Sequence, residues 1–328
     1  MTRPRVDVSI LIVGYNSARY LDECLAAIPA AVADHSYEVL FVNNGADSSE
    51  ELVGTRHPQA RILKTLGNVG FAAGNDYLAD NAVGRWLLLL NPDTRLYRGA
   101  VDVLLAFAAQ HPDYEVLGGM TVGEHGELDS RAQLKLLSLR TILRELVASP
   151  DRPVAMEANF EAVEVEALSG GFMMVRRECW TRLGGLDPDF FLYAEELDFF
   201  KRLKDAGGRV AQVASSRVFH DLGSGDAYSP ARIKFLVTGN AHYFHKHFAP
   251  PYAYACIGLM WLTMVKRYLG GALMARNGNR YARMSSGFAQ VAKAPWTWMW
   301  GYNSAGADPR RAANQGRRSS RDRSQASR

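Results

Sequence analysis

The chain has little cysteine: Cys24, Cys179 and Cys256 are widely separated and odd in number. They make neither a disulfide framework nor a zinc-ligand spacing, so a reducing, cytosolic compartment is expected. A secretory leader is not expected either. The first apolar run begins at Val6, is broken by Asp7 and ends by Tyr15, the pattern of a strand. No Gly-x-Gly-x-x-Gly follows that strand, which argues against a dinucleotide-binding Rossmann domain. Acidic residues are scarce at the end, where residues 308–328 hold seven arginines against Asp308 and Asp322. The formal charge of +4 therefore belongs to this tail, and residues 1–307 sum to −1. Arg, Ser, Gln, Asn and Ala without large apolar residues predict a disordered tail. It suits an anionic lipid surface, or equally a solvated state of no consequence.

What is present is a core. At 328 residues and 48% apolar content, one large α/β domain with an appendage fits, as do two modest domains. The stretch Trp86-Leu87-Leu88-Leu89-Leu90 cannot alternate inside and outside, so it reads as a strand buried on both faces, as in a parallel sheet. Pro92 cannot continue a ladder, so the strand stops at Asn91 and leaves Asp93 and Thr94 beyond its carboxyl end. Ligands of open α/β sheets bind at that edge. Asp93 is placed to hold a divalent cation, or it only makes a turn.

Before it, Val6–Val13 predicts a strand ending at Gly14-Tyr15-Asn16, with Ser17 able to N-cap a helix running to Pro29. Glu38–Val42 is a second strand, followed by Asn43-Asn44-Gly45, and 61–66 a third. Residues 67–75 then lead into a helix ending near Asn81. Strand, polar turn and helix in repetition predict a doubly wound, mostly parallel sheet flanked by helices. Asn16, Asn43, Asn68 and Asn75 recur after successive strands and would line one sheet edge.

Residues 123–165 lose this rhythm, apart from one helix expected from Ser138 to Val147. A strand is expected over Ala167–Val175, its glycines permitting close backbone approach. Glu195-Glu196-Leu197-Asp198 opens a helix with Leu197, Phe200 and Leu203 buried and Gly207 as its cap. Acids in a first turn suit the helix dipole, yet three in four residues exceed what a cap needs. Residues 209–213 and 217–219 read as two short strands ending at His220. His242, His245 and His247 do not predict a metal site, because only the first two share a helix face and no Cys or Glu completes the set. Tyr252–Val265 is apolar and aromatic but short of the ~20 residues that span a bilayer. It is a helix at the membrane interface, or a core or dimer-contact helix. The aromatics of 295–300 favour membrane contact.

These motifs resemble inverting glycosyltransferases of family 2, with the GT-A fold, and within them the rhamnosyltransferase-like branch. The resemblance spans roughly residues 6–248. It is carried by Val-Gly-Tyr-Asn at 13–16, Val-Asn-Asn-Gly at 42–45, Asn-Val-Gly-Phe-Ala-Ala-Gly-Asn at 68–75 and Asn-Pro-Asp-Thr at 91–94. Ser-Gly-Gly at 169–171 and Phe-Phe-Leu-Tyr-Ala-Glu-Glu-Leu-Asp at 190–198 complete it, with His220 before a Ser-Gly pair.

The resemblance implies a nucleotide-diphosphate sugar donor, dTDP- or UDP-linked, and Mg²⁺ or Mn²⁺. Asp93 and His220 would bind the metal. Tyr15, Asn16, Asn43, Asn68, Gly70, Asn75, Asn91, Asp93 and Gly170 would bind the donor. Glu196 would be the general base, and Asp198 and Glu195 would orient the acceptor or nearby cationic groups. The acceptor would be a glycan or glycolipid at the inner face of the cell membrane, with an anionic membrane surface as partner and no nucleic acid. A transferase domain at 1–248, a helical aromatic-rich region at 249–307 and a basic tail at 308–328 are expected.

Three positions depart from the pattern. Asn43 stands for the usual base-reading aspartate, Glu196 for aspartate, and Gly14 for Thr or Ser. The first two leave open a non-catalytic nucleotide-sugar-binding or scaffolding protein. A sugar nucleotidyltransferase would want a glycine- and basic-rich loop where Tyr15-Asn16-Ser17 stands.

Overall fold

The structure, a computed structural model, describes residues 6–64, 67–123, 128–129, 133–147, 160–220 and 228–303. Its strands are β1 Val8–Gly14, β2 Tyr37–Asn43, β3 Arg61–Leu63, β4 Trp86–Leu90, β5 Thr94–Leu96, β6 Tyr114–Val122, β7 Leu128–Asp129, β8 Gln133–Leu134, β9 Ala162–Glu164, β10 Ala167–Leu168, β11 Phe172–Arg176 and β12 Arg209–His220. Its α-helices are α1 Ala18–Ala31, α2 Ser49–Arg56, α3 Phe71–Asn81, α4 Ala100–Gln110, α5 Leu139–Val147, α6 Arg177–Leu183, α7 Glu195–Asp205, α8 Pro230–His247, α9 Pro250–Met274 and α10 Asn279–Lys293. The chain falls into two compact units. The first comprises Met1–Leu136, Asp151–Leu186 and Glu196–Ser224, and the second Leu137–Pro150, Asp187–Glu195 and Gly225–Arg328.

In the first unit the main sheet runs β3-β2-β1-β4-β11-β6-β12-β5. β3, β2, β1 and β4 are mutually parallel, as are β6 and β12. β11 lies antiparallel between β4 and β6, and β5 pairs antiparallel with β12. The sheet is thus mostly parallel and covered on both faces. Leu88 and Leu90 join one apolar cluster with Leu21, Leu25 and Ile28 of α1 and Leu104 of α4. Leu87 and Leu89 join another with Leu78 of α3, Trp180 of α6 and Phe199, Phe200 and Leu203 of α7. The leucine run is buried on both faces, as its composition demands. Each such side chain contributes about 1.5–3 kcal/mol relative to exposure.

Several boundaries differ from expectation. The first strand starts at Val8, and Pro29 lies inside α1 instead of ending it. Ser17 makes no side-chain cap; the Ala18 N–H donates to Asp47 Oδ2 at 2.9 Å, so the cap comes from across the sheet edge. Only Arg61–Leu63 of the third strand is strand, and residues 65 and 66 lie outside the described residues. The strand expected over 167–175 is two, because β10 pairs with β8 in a separate small sheet while β11 enters the main one. The two short strands before His220 are one, β12, with a register irregularity between Val213 and Arg217 that absorbs the break. In α7 the buried positions are Glu195, Asp198, Phe199, Phe200 and Leu203, and Leu197 is only half-buried. α4 and β6 have no counterpart in the pattern reading. Gly118-Gly119 interrupts β6's apolar run, and a Cβ at Gly119 would meet Ser216 O at 2.5 Å and the Phe172 ring at 2.6 Å.

The second unit holds α5, α8, α9 and α10. Trp298 is fully buried there, its Nε1 donating to Val291 O. His242 packs edge-on against Phe190, and His245 Nε2 lies 2.9 Å from Met299 O, so these histidines serve packing. The three cysteines are free and buried. The tail at 308–328 and the Pro-Asp-Arg-Pro break at 150–153 lie outside the described residues.

Candidate active site

The carboxyl ends of the first-unit strands are stitched into one continuous edge. Gly14 registers opposite Asn43, and Asn44 N–H donates to Gly14 O at 2.7 Å. Asn44 Nδ2 reaches the next loop, donating to Gly70 O at 2.9 Å. Phe71 lies over Gly170, where a Cβ would fall 3.2 Å from its ring. Asn91 N–H donates to Gly171 O at 3.0 Å, joining the end of β4 to the start of β11. An antiparallel β11 delivers its leading Gly170-Gly171 to the edge where the parallel strands deliver their tails. Finally, β5 folds back on β12 so that Thr94 registers opposite His220, which brings Asp93 and His220 together.

Most of the amides on this edge serve the backbone. Asn16 is exposed and takes left-handed backbone at φ 51, which Asn tolerates better than most residues. Asn43 Oδ1 accepts from Gly45 N–H at 2.9 Å, and its Nδ2 donates to Asp47 Oδ1 at 3.3 Å. Burial works against ionisation of Asp47, but amide hydrogens from Ala18, Ser49 and Asn43 outweigh it and hold its carboxyl below the ordinary range. Asn68 Oδ1 accepts from Gly70 N–H, shaping the turn before α3. Asn75 is buried within α3 and donates back to Phe71 O. Tyr15 is exposed. At Gly14, the Phe41 ring fills the space a side chain would need, 2.8 Å from a Cβ. Asn44 is the exception: it is buried and its Oδ1 has no hydrogen-bond partner. Residue-type patterning singles out Asn43, and only the geometry separates the two.

The carboxylates behave differently. Asp93 Oδ1 is buried without a hydrogen-bond partner, and His220 Nε2 lies 3.3 Å away, at ion-pair distance but outside hydrogen-bond geometry. An oxygen and an imidazole nitrogen 3.3 Å apart would supply two ligands to a divalent cation. Among the described residues no group of three or more His, Cys, Asp or Glu forms a self-sufficient site.

Glu196 is not part of this chain of contacts; it stands in the first turn of α7. Its Oε2 is buried without a partner. Burial pushes its carboxyl up to about 6, against a hydrogen bond from its own backbone. Asp198 is fully buried, and its Oδ2 accepts from Arg202 Nε at 2.9 Å. Arg202 in turn donates to Leu183 O and Gly185 O. Directly before α7, Tyr193 and Ala194 sit at φ 66 and 68. Two consecutive non-glycine residues in left-handed backbone cost about 1–2 kcal/mol each, and such strain clusters at functional segments. Nothing in their residue types announces it.

A doubly wound, mostly parallel sheet with amide-rich loops and an acidic strand end at its carboxyl edge defines the chain as having a GT-A-type fold. In fold it is similar to the mannosyltransferase PcManGT from Pyrobaculum calidifontis, solved with GDP-Man and Mn²⁺. That likeness has a TM-score of 0.53 at 17% identity and covers 92% of this chain and 85% of that one. The profile of the family described as Glycosyl transferase family 2 matches residues 9–182. The chain belongs to that family and is a glycosyltransferase. It is 27% identical over 241 residues to an N-acetylglucosaminyl-diphospho-decaprenol L-rhamnosyltransferase of Mycobacterium tuberculosis, covering 68% of this chain and 78% of that protein. It is 24% identical over 219 residues to the low-salt glycan biosynthesis hexosyltransferase Agl10 of Haloferax volcanii, covering 66% of this chain and 67% of that one.

Proposed function

We propose that the protein is a metal-dependent, inverting glycosyltransferase. It moves a sugar, rhamnose being the candidate, from a dTDP- or UDP-linked donor to a hydroxyl of a lipid-linked or polysaccharide acceptor at the cytoplasmic membrane face. The carrying observation is Asp93 Oδ1, buried, without a hydrogen-bond partner and 3.3 Å from His220 Nε2 at the sheet's carboxyl edge. A buried acceptor atom without a hydrogen donor is costly unless a cation or ligand completes it. The rhamnosyltransferase named among the relatives supports the sugar and acceptor classes.

On this reading Asp93 and His220 hold Mg²⁺ or Mn²⁺, which when bound neutralises charge on the departing diphosphate. Gly70 and Gly170 let backbone approach the donor, and Asn44 Oδ1 accepts a hydrogen from its nucleoside. Tyr15, Asn16, Asn43, Asn68, Asn75 and Asn91 shape the loops around it. Glu196 takes the proton of the acceptor hydroxyl as its oxygen attacks the anomeric carbon opposite the diphosphate. The anomeric C–O bond breaks, its electron pair leaves on the phosphate oxygen, and the configuration inverts. A carboxyl raised to about 6 is a stronger base than an ordinary carboxylate and still ionised at neutral pH. Asp198 acts through Arg202, which steadies the loop before α7. The transferase domain is 1–248, with the helical region and basic tail serving location.

Incubation with dTDP-rhamnose and UDP-sugars and a polyprenyl-diphosphate sugar, with the product anomer read by NMR, tests the proposal. One donor should be consumed, with metal, to an inverted linkage. Retention, or transfer undiminished by EDTA, would overturn it.

A further inference from the structure

The near-neutral total of residues 1–307 conceals a division. From Ala227 to Ala307 the chain carries nine lysines and arginines and no aspartate or glutamate, while residues 1–226 sum to −10. The basicity is therefore not confined to the tail, and a carboxylate-free stretch of this length fits an anionic partner.

The second unit gives that charge a surface. Along α9, Leu262, Lys266, Leu269 and Leu273 are all exposed. At 3.6 residues per turn they fall within about 60° of arc. The opposite face, with Ala253, Met260, Met264 and Gly271, is buried. Lys266 Nζ donates to Leu146 O at 2.7 Å, which sets the end of α5 beside this stripe. The next residue, Val147, is 79% exposed, and Leu273 is 85% exposed. Leucines facing water around a lysine, on a helix that carries no carboxylate, form the pattern of a helix that lies in a membrane interface, and Glu145 of α5 is the acidic residue beside Leu146. No helix among the described residues is long and apolar enough to cross a membrane, so contact would run along the surface.

We infer that this α9 face, extended by Val147, docks in the headgroup region of an anionic bilayer and holds the enzyme near a lipid-borne acceptor. The purpose rests on the proposed lipid-linked acceptor. The docking does not, because vesicle binding needs neither donor nor acceptor.

The full-length protein is sedimented with phosphatidylcholine vesicles with and without about 30% phosphatidylglycerol. Binding should require the anionic lipid and weaken at about 0.5 M NaCl, where surface charges are screened. The double change Leu269→Glu and Leu273→Glu should lower affinity about tenfold or more. Its melting temperature should not move, since both side chains lie mostly in solvent. Leu269→Trp with Leu273→Trp should retain binding. Unchanged binding by the glutamate variant would assign the lipid contact to the arginine tail and overturn the inference. So would indifference of the wild type to both vesicles, or a wild-type dimer that the glutamates dissociate, which would make the stripe a contact between copies. Vesicle binding without sugar transfer would count against the proposed reaction alone.

Discussion

The amide-bearing loops after β1, β2 and β3 and the carboxylates Asp93 and Glu196 belong to one sheet-based unit, yet use their polar atoms in opposite ways. Asn43, Asn68 and Asn75 bond to backbone or to Asp47, and so fix the shape of the edge. Asp93 Oδ1 and Glu196 Oε2 are buried with no hydrogen-bond partner. The first set is satisfied by folding, and the second is left for a ligand on the proposed reading. On that reading, loop shape and reactive charge are therefore carried by different residues.

The strongest way to break this contrast is Asp93→Ala. Sugar transfer should fall by about 10³-fold or more in steady-state assays; a loss under tenfold would make Asp93 another shaping residue. Glu196→Gln comes next, lowering kcat by about 10²–10⁴-fold while donor KM stays within about threefold. In the wild type kcat/KM should be lost as pH falls through about 6, where Glu196 takes up its proton. The stability effect has the opposite sense. A carboxyl raised in the folded state binds its proton more tightly there, so stability declines as pH rises from 4.5 to about 6. Glu196→Gln should therefore stabilise by about 1–2 kcal/mol at pH 7 in urea melts, and not at pH 4.

A smaller effect sharpens the shaping side. Asn43→Asp would put a second carboxylate where Nδ2 now lies 3.3 Å from Asp47 Oδ1. It should cost about 1–2 kcal/mol at neutral pH, relieved by acid or by adding Asp47→Asn. Least in size, Ala194→Gly releases a positive φ of 68 and should raise stability by about 1 kcal/mol or less. Its kcat should fall if the strain positions Glu196.

How far the sequence could be read follows from which physics is local. The leucine run declared a doubly covered strand because four consecutive apolar side chains must face both ways. Pro92 declared where it ends, and hence where Asp93 lies. Strand direction is not local, so β11 read as one more strand and its antiparallel entry between β4 and β6 was invisible. β6 escaped because Gly118-Gly119 breaks its apolar run, and those glycines admit Ser216 and Phe172 from distant segments. Ser17 looked like a helix cap because its type suits the role, but Asp47, twenty-nine residues beyond Ala18, performs it. The raised carboxyl of Glu196 depends on burial, and the left-handed pair at 193–194 on tertiary constraint. Composition averaged over residues 1–307 likewise hid the acidic and basic regions that cancel within it.

The most direct test of the central claim is a thermal-shift titration of wild type and Asp93→Ala with UDP, dTDP and GDP, each with Mn²⁺ or with EDTA. A ligand that binds only the folded state raises the melting temperature by mass action. The wild type should be stabilised by one nucleotide, only with Mn²⁺, and Asp93→Ala by none. Equal stabilisation of both proteins in EDTA would rule out Asp93 as the metal ligand that holds the donor.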